Sequence, residues 1–321
     1  KSHSWSSRLG VGQGVNHPLP EKTKPITETN DSTAIFNTER VDVPADPEIQ
    51  VVDNMKLVDQ SRQDVHKLRT MPTVSFATPK DISHIGCWNV RTMYDTGKAA
   101  QVAREMNNYQ CTLLGLSEVR WTGFGRVRLA TGESIIFSGR SDNLHRGGVA
   151  LMLSRKAEQA LLEWQPVNER IIRARFYSRF IKTTVIQIYA PTENSSDEEK
   201  DTFYDQLQSV YDKTPKHDVK IIMGDFNAKV GMDNSGHEDT MGKHGLGVKN
   251  DNGERMLQFC EMNNLVITGT VFPHKNIHKA TWTSPDGKTK NQIDHILISR
   301  QHRSTMMDTR VIRAADVGSD H

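Results

Sequence analysis

From Ile82 to the end of the chain, short apolar runs rich in β-branched and aromatic residues recur between polar loops, and nearly every run stops on an oxygen-bearing side chain. The runs fall at 82–90, 112–117, 134–138, 148–153, 171–177, 183–189, 219–223, 265–268, 280–283 and 293–298. Each has the length of a strand. Only three segments carry the apolar spacing of a helix with one buried face. They are 97–108 (Ala99, Val102, Ala103, Met106), 197–211 (Phe203, Leu207, Val210, behind the capping-box pattern Ser195-x-x-Glu198) and about 253–263 (Met256, Leu257, Cys260). A doubly wound sheet would need a helix between nearly every pair of strands. The pattern therefore predicts two sheets packed face to face with helices outside.

Before Ile82 the texture differs. Residues 1–80 are rich in Thr, Pro, Asp, Glu, Gln and Asn and hold no sustained period, so they cannot bury enough apolar area to offset chain entropy. They read as a disordered or loosely held arm with a short helix around 53–68, and 81–321 as the folded domain. The chain starts at Lys1 and stops on Ser319-Asp320-His321. This reads as a fragment truncated at the domain's C-terminal edge, which would leave Asp320 and His321 on a frayed end.

Forty-one basic and 39 acidic side chains give a net charge of +2, so any nucleic-acid surface must be local. Three cysteines among apolar neighbours (Cys87, Cys111, Cys260) read as reduced core thiols of an intracellular protein. No apolar window is long enough to span a bilayer, and the first residues lack the apolar stretch of a signal peptide. No membrane association is expected, and nothing in the sequence points to an oligomer.

A rigid sheet presents the residues just past its strands along one edge. Here these are Asn89, Glu118, Tyr189, Asp225 with Asn227, Asp294 and the pair Asp320-His321. A single such carboxylate is ordinarily a helix cap or a turn former. A whole series in order, without thiolates, selects a hard cation: Mg²⁺, with Mn²⁺ as a substitute. Glu118 is the best direct ligand, with Asn89 and Asp320 as helpers. A phosphodiester repels hydroxide, so its hydrolysis needs a cation and a group that orients and deprotonates water. Asp225 and Asn227 supply acceptor and donor for that water. His321, steadied by the Asp294 carboxylate, titrates near working pH, and Tyr189 donates to a phosphate oxygen.

Trp88-Asn89-Val90-Arg91, Leu116-Ser117-Glu118-Val119-Arg120-Trp121, Ile188-Tyr189-Ala190-Pro191-Thr192, Gly224-Asp225-Phe226-Asn227-Ala228, Gln292-Ile293-Asp294-His295-Ile296 and Ser319-Asp320-His321 together resemble the endonuclease/exonuclease/phosphatase superfamily, over about 82–321 and in its order. Within it the chain is most similar to the endonuclease domain of RTE-type non-LTR retrotransposons. The resemblance implies a four-layer α/β/β/α sandwich like that of deoxyribonuclease I. It implies Mg²⁺ held mainly at Glu118, phosphate gripped at Asn89, Tyr189, Asn227 and His321, Asp225 aligning the nucleophile, Asp294 orienting His321, and Asp320 supporting metal or phosphate. The expected activity is nicking of duplex DNA to leave a 3′-hydroxyl, in a nuclear protein whose full length carries a reverse-transcriptase domain. Abasic-site repair enzymes usually have an acidic residue where this chain has Arg91, which favours ordinary duplex over abasic sites.

Two loops mix basic and aromatic residues: Arg120, Trp121, Phe124, Arg126 and Arg128 after Glu118, and Phe272, His274, Lys275, His278 and Lys279 before Trp282. Taken alone each is a solvated loop. Flanking an acidic site, they suit a groove that grips DNA, with Arg91, Arg120, Trp121, Arg126, Lys275 and Lys279 as contacts. The Gly-rich 231–253 reads as a mobile loop near substrate. The alternatives are a phosphatase or phosphodiesterase acting on a lipid, inositol phosphate or nucleotide, and a domesticated DNA-binding remnant without catalysis.

Overall fold

The structure, a computed structural model, describes residues 43–44, 46, 49–53, 72, 74–78, 82–313, 315 and 317–321. In chain order its elements are β1 (Ile49–Asp53), β2 (His84–Asn89), α1 (Lys98–Asn108), β3 (Cys111–Ser117), β4 (Phe124–Leu129), β5 (Ser134–Ser138), β6 (Val149–Leu153) and α2 (Arg155–Ala160). There follow β7 (Leu161–Asn168), β8 (Ile171–Phe176), β9 (Thr183–Tyr189), α3 (Asp197–Asp212), β10 (Val219–Asp225), α4 (Asp251–Met262), β11 (Leu265–Ile267), β12 (Trp282–Thr283), β13 (Lys290–Asn291) and β14 (Asp294–Ser299). Two six-stranded mixed sheets run β1-β4-β5-β6-β3-β2 and β11-β14-β10-β9-β8-β7, and β12-β13 is a separate hairpin.

Three apolar clusters define the layers. One joins Ala99, Val102, Ala103 and Met106 of α1 to Leu114, Leu116, Phe137 and Met152 of the first sheet. A second joins the facing sides of the sheets through Leu113, Leu151, Val185, Ile221, Met223 and Ile298. The third packs Phe203 and Leu207 of α3 and Met256, Leu257 and Cys260 of α4 on Ile186, Ile188, Ile222 and Leu297. The order is helix, sheet, sheet, helix, as expected, and period-2 alternation sends successive residues of one strand to opposite interfaces.

The three expected helices are present. The cap of α3 is Ser196, whose hydroxyl accepts from Glu199 N, one residue beyond the position assigned by the Ser195 pattern. A fourth helix, α2, follows its own cap, Ser154. Strand β4 lies where the sequence suggested a basic loop: Val127 and Leu129 are buried under α1, while Arg126 and Arg128 lie on the opposite face, where both pair with Glu158 of α2.

Part of the expected arm belongs to the folded body. Strand β1 pairs antiparallel with β4, Ile49 opposite Leu129, and Phe76 is buried with its ring stacked on Phe176 at 4.6 Å. Short apolar pieces in a polar stretch found partners on the sheets, so the boundary at residue 81 does not hold for them. Apart from Asp53, which ends β1, the helix expected around 53–68 lies outside the described residues. The 231–253 loop is built rather than loose. Met241 is buried and bridges to Ile267, and Gly245 and Gly253 let backbone approach where a Cβ would lie 1.9 Å from the Gly231 and Lys229 carbonyl oxygens. No helix among the described residues is long and apolar enough to cross a membrane, and the three cysteines are free.

Candidate active site

The alternation that places Val185, Met223 and Ile296 between the sheets places Tyr189, Asp225 and Asp294 at the end of the same gap. Asn89 of β2 closes it from the first sheet. Tyr189 is in register with Asp225 on parallel strands, and Asp225 with Asp294 on antiparallel ones, so three polar side chains stand side by side at one mouth. Glu118 enters from the residue after β3.

Backbone strain is concentrated here. Arg91, Glu118, Arg120 and Asn227 all adopt φ between 49° and 59°, the left-handed region that non-glycine residues seldom occupy. Gly224 sits at φ 139°, and a Cβ there would lie 2.1 Å from the Ile188 carbonyl oxygen. These left-handed non-glycine residues fall just past the ends of β2, β3 and β10, where the chain leaves each sheet beside the gap.

The side chains form a connected set. Asn89 Nδ2 donates to Glu118 Oε1 (2.9 Å) and to Asp225 Oδ2 (3.0 Å), while Asn89 Oδ1 accepts from Arg91 N (2.9 Å). Asp225 Oδ1 accepts from Asn227 N at 2.9 Å, and Asn227 Nδ2 donates to Ala190 O at 3.0 Å. His321 Nδ1 donates to Asp294 Oδ2 at 2.8 Å, leaving Nε2 3.9 Å from Asp225 Oδ2. Asn89 and Asp225 are each 1 % exposed, so the bond between them works in low dielectric.

Burial and the neighbouring Asp294 push the Asp225 carboxyl up to about 7, against the pull of His321 and Asn89. Burial opposes a charge on His321, but Asp294, Asp225 and Asp320 outweigh it and raise the imidazole to about 9. Burial, then Glu118 and Asp225, raise the Tyr189 phenol, which remains protonated as a donor.

Carboxylates outnumber compensating cations in this gap, and the buried Asp294 Oδ1 has no hydrogen-bond partner among the described residues. Ligand atoms of Asp225, Asp294 and His321 all lie within 4.8 Å of one another, and Glu118 meets Asp225 on one Asn89 amide. An oxygen-rich, negatively charged cleft with a carboxylate oxygen unpaired fits a hard divalent cation.

Residues 86–321 match the Endonuclease/Exonuclease/phosphatase family. The chain belongs to this family. It is 40% identical over 237 residues to craniofacial development protein 2 of Bos taurus, covering 74% of this chain and 39% of the relative. The Tragulus javanicus protein of that name gives 39% over 237 residues, 74% and 40%. The chain thus spans about two fifths of the length of these relatives. Among solved structures, the endonuclease domain of TRAS1, a telomere-specific non-LTR retrotransposon, aligns at TM-score 0.51 with 15% identity over 73% of this chain and 92% of that one. The AP endonuclease LMAP of Leishmania major aligns at TM-score 0.51 with 13% identity over 73% and 85%. At these identities the structures establish a shared fold.

Within this family member, Asn89, Glu118, Tyr189, Asp225, Asn227, Asp294 and His321 converge as the sequence suggested. Asp320 turns aside: its Oδ2 accepts from Trp282 Nε1 (3.0 Å) and its Oδ1 lies 3.7 Å from Arg91 Nε, so it braces the site rather than meeting Glu118. Asn89 turns its amide nitrogen to the carboxylates, and its oxygen is bonded to the backbone, so it bridges them and is not oriented as a metal ligand. The end of the chain is not frayed. Ser319 Oγ donates to Asn89 O (2.6 Å), Thr283 N to Asp320 O (2.9 Å) and Trp88 Nε1 to His321 O (3.2 Å).

Two expected DNA contacts are corrected. Trp121 is fully buried, its ring edge-on to Phe137 at 5.0 Å and its Nε1 donating to Met93 O, so it is a core residue. Arg126 is ion-paired to Glu158 of α2, on the face of β4 that it shares with Ile136 and away from α1. Arg91 is exposed and Arg120 half-buried at the rim, Arg120 Nη2 lying 3.4 Å from Glu118 Oε2. Exposed Lys275 and half-buried Lys279 flank a 3-10 turn, Asn276–His278. In the same segment His274 pairs with Asp308. The sequence reading missed Thr281, whose Oγ1 accepts from Ile293 N (3.0 Å) and Asp294 N (3.1 Å), and the role of Trp282. Neither residue ends a long apolar run, the signal that picked out the others.

Proposed function

We propose that this domain is a Mg²⁺-dependent endonuclease that nicks duplex DNA and leaves a 3′-hydroxyl. The observation that carries the reading is the pairing of an Asp294-held imidazole with Asp225 across a carboxylate-lined mouth bridged by Asn89. The divalent ion, held principally by Glu118, would neutralise charge on the phosphoryl oxygens.

The protein's own residues supply the rest. Asp225, held ready by Asn89 and Asn227, accepts a proton from the attacking water as its oxygen bonds to phosphorus. The P–O3′ bond breaks on the far side, the departing oxygen takes a proton from solvent to become the 3′-hydroxyl, and Asp225 returns its proton to solvent. His321, cationic because Asp294 steadies it, donates from Nε2 to a non-bridging phosphate oxygen, as does the Tyr189 hydroxyl. Arg91 and Arg120 at the rim grip the flanking phosphates. Solved neighbours named as an endonuclease domain and an AP endonuclease support a DNA substrate. A role in priming reverse transcription, through a further domain of the full-length protein, and a nuclear location belong to the same reading.

The test is supercoiled plasmid with Mg²⁺. Open circles should form that a DNA polymerase extends without prior end repair. Failure to nick, or hydrolysis of small phosphate esters that duplex DNA does not compete away, would favour the phosphatase reading.

A further inference from the structure

Beneath the mouth of the site, the apolar packing between the sheets is interrupted by an amide. Gln187 lies on the inter-sheet face of β9, in register with Met223 and Ile172, and is fully buried. Its Nε2 donates to Ser117 Oγ (3.0 Å) and Ile188 O (3.3 Å), and Ser117 Oγ donates across the interface to Ile188 O (3.1 Å). Its Oε1 is buried without a partner among the described residues. An unpaired buried carbonyl costs about 1–3 kcal/mol. A Cβ on Gly115 would lie 1.9 Å from that oxygen, and one on Gly224 2.9 Å from Gln187 Nε2, so one glycine on β3 of the facing sheet and one on the adjacent β10 make room for this side chain.

The position explains an arrangement that stability alone disfavours. Ser117 immediately precedes Glu118, Ile188 precedes Tyr189 and Gly224 precedes Asp225. Glu118 comes from the first sheet, Tyr189 and Asp225 from the second, and apolar contact between sheets is non-directional. Hydrogen bonds fix distance and angle, and a misplacement of about 1 Å at a reacting centre costs on the order of 100-fold in rate. We infer that Ser117 and Gln187 are positioning residues, a polar knot that sets the sheet-to-sheet spacing at which Glu118 meets Tyr189 and Asp225. The inference rests on the endonuclease reading above.

The experiment compares wild type with Gln187→Met and Ser117→Ala. Gln187→Met replaces the amide by an apolar chain of similar length. The expected result is a thermal midpoint equal to or above wild type, with kcat for plasmid nicking about 10-fold lower or more, KM unchanged, and Mg²⁺ affinity, read by Mg²⁺-induced thermal stabilisation, several-fold weaker. Ser117→Ala should move kcat and Mg²⁺ affinity the same way, and the double variant should be no worse than the poorer single one. Wild-type kcat and wild-type Mg²⁺ affinity in Gln187→Met overturn the inference. If that variant does not fold, the same outcome in Ser117→Ala does so. A wild-type protein that binds Mg²⁺ but does not nick would sink the endonuclease reading alone, and the Mg²⁺ affinities would still decide the knot.

Discussion

His321 Nδ1 lies 2.8 Å from Asp294 Oδ2, a bond between a strand residue and the chain's last residue that leaves Nε2 directed at the gap. Because the carboxylate fixes both tautomer and charge, Asp294→Asn should leave the fold intact and lower kcat for nicking by about 10³- to 10⁴-fold with little change in KM. Steady-state kinetics on plasmid, beside a circular-dichroism melt, check this. An unchanged kcat would remove the pair from the chemistry.

The same pair predicts a pH dependence of stability in metal-free protein. His321 is raised to about 9 from its ordinary value near 6.5, so its folded form holds the proton more tightly than the unfolded chain does. Its contribution is fully present below about pH 6.5 and is lost as pH rises through 9. Asp225, also raised, acts with the same sign at lower pH. The thermal midpoint in EDTA should therefore fall between pH 6.5 and 9, and His321→Gln should flatten that slope.

Trp121 separates packing from binding. Trp121→Ala should destabilise the domain by about 3–5 kcal/mol, the cost of emptying a buried indole site. Urea melts measure it. A stable variant with selectively weakened DNA binding would restore the substrate role that the sequence suggested.

Gly224 tests the strained turn ahead of Asp225. With φ at 139° and the Ile188 oxygen 2.1 Å from any added Cβ, Gly224→Ala should cost about 3 kcal/mol or more and abolish nicking. Retention of the wild-type midpoint in the same melt would show that the turn relaxes freely.

The legible part of the sequence was the part in which one side chain reports its own environment. Strand runs and their polar endings gave both sheets and the convergence of Asn89, Glu118, Tyr189, Asp225, Asp294 and His321, because alternation and strand termination are local properties. Contacts chosen by tertiary neighbours were not visible. Trp121 follows a strained turn at Arg120 that returns it to the core. Arg126 finds Glu158, a partner 32 residues away. Ile49-Gln50-Val51-Val52 and Val74-Ser75-Phe76-Ala77 are short apolar pieces in polar sequence, too brief to announce that one forms a sheet edge and that Phe76 stacks on Phe176. Thr281 and Trp282 act through Asp294 and Asp320, and a role exerted through a neighbour leaves no periodic trace.

On the proposed reading, Glu118 holds a divalent ion that the Asp225 and His321 set needs for hydrolysis. The direct measurement is the rate of open-circle formation as a function of Mg²⁺ for wild type and Glu118→Gln. Wild type should nick saturably with Mg²⁺ and stop in EDTA, and Glu118→Gln should be at least about 100-fold slower at any Mg²⁺ concentration. Equal rates and equal Mg²⁺ dependence in the two proteins, or full wild-type activity in EDTA, would contradict it.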